Sequence, residues 1–106
     1  MKLIIAIMNS EDKTNVQDRM LKEGYKVTSM ASTGVFLMRG NITFLIGVED
    51  DQVDHALNIL QECGRRRTQV VNTMPDAAEA SMVFPMEATL GGATVFVLDV
   101  DRFEKY

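Results

Sequence analysis

The stretch Ala31-Ser32-Thr33-Gly34-Val35-Phe36-Leu37-Met38-Arg39-Gly40-Asn41-Ile42-Thr43-Phe44-Leu45-Ile46-Gly47 decides how this chain folds. It reads as the facing halves of two strands joined by a tight turn at Arg39-Gly40-Asn41, where Gly and Asn tolerate positive φ. The first strand extends back to Tyr25 and is rich in Val, Thr, Phe and Tyr, and the return strand runs to Val48.

Outward from this pair, amphipathic patterns mark two helices. Ser10 can cap the first, with Glu11 and Asp12 in its opening turn, Val16, Met20 and Leu21 inward, and Gly24 at its end. Asp50 or Asp51 can cap the second, whose apolar positions Val53, Ala56, Leu57, Leu60 and Cys63 follow helical spacing up to Gly64. Arg65-Arg66-Arg67 then lie beside the helix's negative carbonyl end. Leu3 to Met8 is almost continuously apolar, as for a central strand covered on both faces. Thr68–Val71 reads as a short strand, residues 72–81 as an exposed loop, and residues 82–90 as extended. Gly91-Gly92 reads as a turn or bulge, Thr94–Val100 as a strand, and Asp101–Tyr106 as a polar tail anchored by Phe103 and Tyr106. The fold class is α+β: one ferredoxin-like βαββαβ domain over residues 1–106, with extra β structure near the C-terminus.

The chain has 106 residues, 46% hydrophobic and 25% charged, ordinary values for a folded soluble protein. A domain this small buries only about two-thirds of its unfolded surface, so association between copies would help it. The formal charge of −4 argues against non-specific DNA or RNA binding, which needs a basic surface. One cysteine rules out an internal disulfide and suits a reducing cytoplasm, the expected location. The apolar run from Met1 to Met8 is too short to span a membrane and reads as a buried strand rather than a signal peptide.

Few residues can make or break bonds. His55 is the only histidine and lies eight residues from Cys63, just over two helical turns, so the two are poorly placed to share a metal. Cys63 sits on the apolar stripe and reads as core. The pairs Asp50-Asp51 and Asp99/Asp101 read as capping and solvated groups. The chain is therefore expected to be neither an enzyme nor a metalloprotein, and to need no cofactor.

Binding is better provided for. Lys26 and Thr28 share one strand face about 7 Å apart, suited to holding a phosphate between them. Ser32, Thr33 and Thr43 offer hydroxyls, and Phe36 offers a flat face on which a base can stack. The Asn41 amide can pair with a purine edge. Gly47 inside a strand weakens it unless something approaches the backbone closely. Each has a plainer reading: a solvated strand face, core packing for Phe36, a turn preference for Asn41.

Taken jointly, these residues resemble the PII-like cyclic di-AMP receptor proteins of Gram-positive bacteria. The resemblance covers essentially the whole chain. It is clearest at Met1–Ile7, Ala31–Gly34 with Phe36-Leu37, Gly40-Asn41 with Thr43–Leu45, Cys63-Gly64, and Gly91-Gly92-Ala93-Thr94-Val95-Phe96-Val97-Leu98. It implies a homotrimer of ferredoxin-like subunits with ligand pockets between neighbouring subunits, and an unnamed downstream partner protein. It further implies that Lys26 and Thr28 hold a phosphate, that Phe36 and Leu37 lie on an adenine, and that Asn41 and Gly47 meet its polar edge. Phe96 would line the adjacent wall. Val35 replaces the family's usual Gly, Met38-Arg39 replaces Arg-Ala, Lys105 replaces a Gln, and the 72–81 loop is short and lacks glycine. A different small molecule, or action mainly through a protein partner, is the alternative these departures suggest.

Overall fold

The computed structural model describes residues 1–32, 40–73 and 84–106. In chain order its elements are β1 (Lys2–Asn9), α1 (Lys13–Lys22), β2 (Val27–Ser32), β3 (Asn41–Val48), α2 (Val53–Cys63), β4 (Arg67–Thr73), β5 (Phe84–Leu90) and β6 (Ala93–Asp99). Short 3-10 turns at Ser10–Asp12 and Asp50–Gln52 lead into the helices. Four strands form an antiparallel sheet in the order β2-β3-β1-β6, and β4 and β5 form a separate two-stranded sheet. This small α+β architecture is compatible with a ferredoxin-like fold, with β6 as its closing strand.

Strand alternation sets the core. On β1, Ile4, Ala6 and Met8 are buried, and on β3 the same holds for Ile42, Phe44, Ile46 and Val48. Both helices bury against these residues through Val16 and Met20 of α1 and Ala56, Ile59, Leu60 and Cys63 of α2. Each large side chain so buried contributes about 1.5–3 kcal/mol relative to exposure. Leu21, expected inward, is 66% exposed: it lies about 100° round the helix from Met20 and so turns outward. Ile59, which the spacing argument passed over, is core.

The helix ends differ from expectation in detail. Ser10, Asp50 and Asp51 lie within the 3-10 turns rather than capping the helices. At the second turn it is Gln52 Oε1 that accepts from the Glu49 backbone N–H at 2.9 Å. Gly24 ends α1 in the left-handed conformation (φ 86°). Asn41, expected in a turn, is the first residue of β3. The expected continuation of β2 through residues 33–38, and Arg39 of the turn, lie outside the described residues.

The largest departure concerns the closing strand. The sequence pattern ends the βαββαβ order at Thr68–Val71, but that segment belongs to β4, which pairs only with β5. The place beside β1 goes to β6, in register Leu3↔Leu98, Ile5↔Phe96 and Ile7↔Thr94. The reason is composition: Ala-Thr-Val-Phe-Val-Leu is apolar towards both sheet faces, whereas Arg-Thr-Gln-Val-Val-Asn is largely polar. The proposed loop at residues 72–81 overlaps the end of β4, and residues 74–83 lie outside the described residues.

Where the two sheets join, contacts fix the geometry. The carboxylate of Asp12, 4% exposed, accepts from Arg67 Nη2 at 2.8 Å, and Arg67 Nη1 donates to the Arg65 carbonyl at 3.1 Å. Gly92 N–H donates to the Gly64 carbonyl at 2.6 Å. Gly91 and Gly92 both have positive φ, 86° and 89°. A methyl group on Gly91 would stand 2.2 Å from the Arg65 carbonyl oxygen. Gly91→Ala should therefore combine left-handed strain with a backbone clash and cost at least about 2 kcal/mol, read as a lower urea midpoint. Gly24→Ala, with the same sign of φ but nothing within 4 Å, should cost only about 1 kcal/mol.

Candidate ligand-binding site

Alternation also decides what the other sheet face carries. Leu3, Ile5 and Ile7 of β1 point away from the helices, as do Thr43, Leu45 and Gly47 of β3. The register adds Thr28 and Met30 from β2 and Phe96 and Leu98 from β6. Both helices lie on the opposite side, and Met30, Phe96 and Leu98 are 47%, 53% and 44% exposed.

At one end of this face is a cavity of about 570 Å³. Leu3 and Leu45 form its apolar floor, with Phe103 of the tail and Val100 at one side. Gly24, Tyr25, Lys26, Thr28 and Gln52 form the polar side, and Gly47 leaves a gap between them. Pairing explains this meeting: Gly47 lies opposite Leu3, Thr28 lies opposite Leu45, and Lys26 continues that register to Gly47. The size and the mostly apolar lining with a few convergent polar groups are those of a small-molecule site.

Of the residues singled out in the sequence, Lys26, Thr28 and Gly47 thus converge on one cavity. Asn41 does not: it begins β3, six residues from Gly47, roughly 20 Å along an extended strand. Phe96 lies on the same sheet face but on the edge strand, opposite Ile5, and does not line the cavity. Phe36, Leu37 and Val35 lie outside the described residues. Lys105 is exposed in the tail and away from the cavity lining. Sequence reading missed Tyr25, Gln52 and Leu45 as lining residues. The signal for Leu45 was available, since it shares strand parity with Gly47.

Tyr25 is a lining residue that also belongs to the buried core, at 6% exposure, with its ring against His55 of α2. Its hydroxyl is 2.7 Å from His55 Nδ1 and 3.5 Å from the Gln52 carbonyl oxygen. Burial, reinforced by the charges of Glu23 and Asp51, holds the Tyr25 phenol above its ordinary pKa. His55, expected to face solvent, keeps a half-exposed side chain but is engaged through this contact.

A second groove of about 610 Å³ runs between the end of α2 and β6, with Leu57, Leu60 and Val95 along it and Arg65 and Arg66 at its edge. None of the described residues proposed for the ligand lines it. Among the described residues no group of three or more His, Cys, Asp or Glu is placed to hold a metal ion. None of the described helices is long and apolar enough to cross a membrane.

These features define a small α+β protein with a ligand-sized cavity on an uncovered sheet face. A family model described as cyclic-di-AMP receptor matches residues 1–106, and the chain belongs to that family, the PII-like receptors that its motifs resemble. It is also similar to a crystal structure of a functionally unknown protein from Pediococcus pentosaceus. The two share 34% identity over 99% of this chain and 96% of the other, with a TM-score of 0.77.

Cys63 is buried, and that burial raises its thiol pKa despite the opposing effect of Arg19, whose Nη1 is 3.9 Å from the sulfur. The reactive thiolate is thus disfavoured in the folded chain, and because the raised value belongs to the folded state, this protection fades only as pH rises through it. Alkylation by iodoacetamide near pH 8 should be at least about ten-fold slower in native protein than in urea-unfolded protein.

Proposed function

We propose that this protein is a non-catalytic signal-transduction receptor that binds a nucleotide second messenger, cyclic di-AMP, at the subunit interfaces of a cytoplasmic homotrimer. The observation that carries this reading is the convergence of Lys26, Thr28 and Gly47 on one cavity with an apolar floor. An ammonium and a hydroxyl on one strand face suit a phosphate, and the bare backbone of Gly47 admits a flat base beside them. Membership of a receptor family supports the ligand class.

The requirement for several copies has its own support. Asn41 lies at the opposite end of β3 from Gly47. One base cannot touch both ends of a strand this long, so a pocket using Asn41 together with Thr28 and Gly47 draws them from different copies. The uncovered face carrying Ile5, Met30, Phe96 and Leu98 gives those copies an apolar surface to share. Phe96 then becomes a wall residue by position in the assembly.

Isothermal titration should give binding of cyclic di-AMP with Kd in the micromolar range or tighter, and sedimentation should give three times the chain mass. Thr28→Val and Lys26→Ala each remove a charge-assisted hydrogen bond of about 1.5–3 kcal/mol and should weaken binding roughly 10–100-fold. A Cβ on Gly47 meets nothing within 4 Å among the described residues, so Gly47→Ala should keep or slightly raise the urea midpoint while weakening binding. Absence of heat with cyclic di-AMP, alongside a thermal shift with another nucleotide, would move the chain to the alternative ligand reading.

A further inference from the structure

We propose that His55 is a positioning residue through which protons control the ligand cavity, acting by way of the Tyr25 hydroxyl. The inference rests on the cavity being the ligand site proposed above.

His55 lies on α2 and does not line the cavity, whereas Tyr25 and Gln52 both do. The Tyr25 hydroxyl stands between two acceptors, His55 Nδ1 at 2.7 Å and the Gln52 carbonyl oxygen at 3.5 Å. On the far side of the imidazole, Nε2 is 3.8 Å from Glu23 Oε2. That carboxylate favours a proton on Nε2, so in neutral His55 the bare Nδ1 accepts from Tyr25. When the ring gains a proton, Nδ1 becomes a donor and the Tyr25 oxygen must accept. The hydroxyl proton then turns to the Gln52 carbonyl, the second acceptor already within reach. Protonation therefore ties two cavity-wall residues to each other and adds positive charge beside a site built for an anion. The charged groups acting on this triangle are Glu23 after α1, which reaches both His55 and Tyr25, and Asp51 in the turn before α2. Histidine is the side chain here whose charge ordinarily changes between about pH 5 and 8.

The chain has a single histidine, so its ring signals report the switch directly. In ligand-free protein, the amide resonances of Lys26, Thr28, Gly47 and Gln52 should shift with the same midpoint as the His55 ring. They should stay flat in His55→Gln, and in Tyr25→Phe they should stay flat while the ring still titrates. With cyclic di-AMP, wild-type Kd should rise roughly three- to ten-fold from about pH 6 to about pH 8, and His55→Gln should lose that slope. Cavity amides that ignore His55, or that follow it equally in Tyr25→Phe, overturn the relay. So does a wild-type Kd independent of pH. If the amides follow the ring through Tyr25 but cyclic di-AMP does not bind, the relay stands and the ligand reading fails.

Discussion

A β-strand sends successive side chains to opposite sides of its sheet, and here both sides of β1 are apolar. On β1, Ile4, Ala6 and Met8 go under the helices, while Leu3, Ile5 and Ile7 go to a face on which no described helix lies. A sheet with helices on one side alone normally shows polar residues on the other. The near-continuous apolar run at the start of the chain is thus a statement about two burials. The chain performs one of them by itself, and the proposed assembly supplies the second.

The same alternation, combined with register, works as a ruler. Antiparallel pairing places Gly47 beside Leu3 and Thr28 beside Leu45, at one end of the sheet, and Asn9 beside Asn41 at the other. A strand of eight residues separates those ends by more than a base can bridge. Residues that look like one ligand set in the sequence, because they fall within one hairpin, become two sets in the fold. Sequence proximity across a hairpin reports connection at its turn, whereas the cavity forms where the strands' far ends meet the tail and the turn before α2.

This explains which parts were legible beforehand. Helix positions came from apolar spacing, and Ala56, Leu60 and Cys63 are buried where that spacing put them. Period-two reasoning put Lys26 and Thr28 on one face, and both line the cavity. The closing strand was misassigned because the β4 segment comes first after α2 and also reads as a strand, although the more apolar β6 segment is the one that pairs with β1. Leu21 was misassigned because adjacent helix positions differ by about 100°, and Met20 already occupied the inward direction. Tyr25 and Gln52 could not be found by pattern, since they meet through folding rather than spacing, and His55 gave no sign of the partner it finds in Tyr25.

Three glycines separate what the fold needs from what it does not. Gly91 is required by its positive φ and by the Arg65 carbonyl against which it lies. Gly64 has an ordinary φ of −98°, and a methyl there would stand 2.6 Å from the end of Met8 and 3.1 Å from the Leu60 carbonyl oxygen, so Met8 would have to move. Gly47 has neither reason: its φ is not in the left-handed region, and a Cβ there would meet nothing within 4 Å among the described residues. In a strand interior glycine forgoes roughly 0.5–1 kcal/mol relative to alanine. Among the described residues no contact accounts for that loss, and the proposed ligand would supply a reason for it. Lys26 and Thr28, the pair proposed to hold a phosphate, line the same cavity as Gly47.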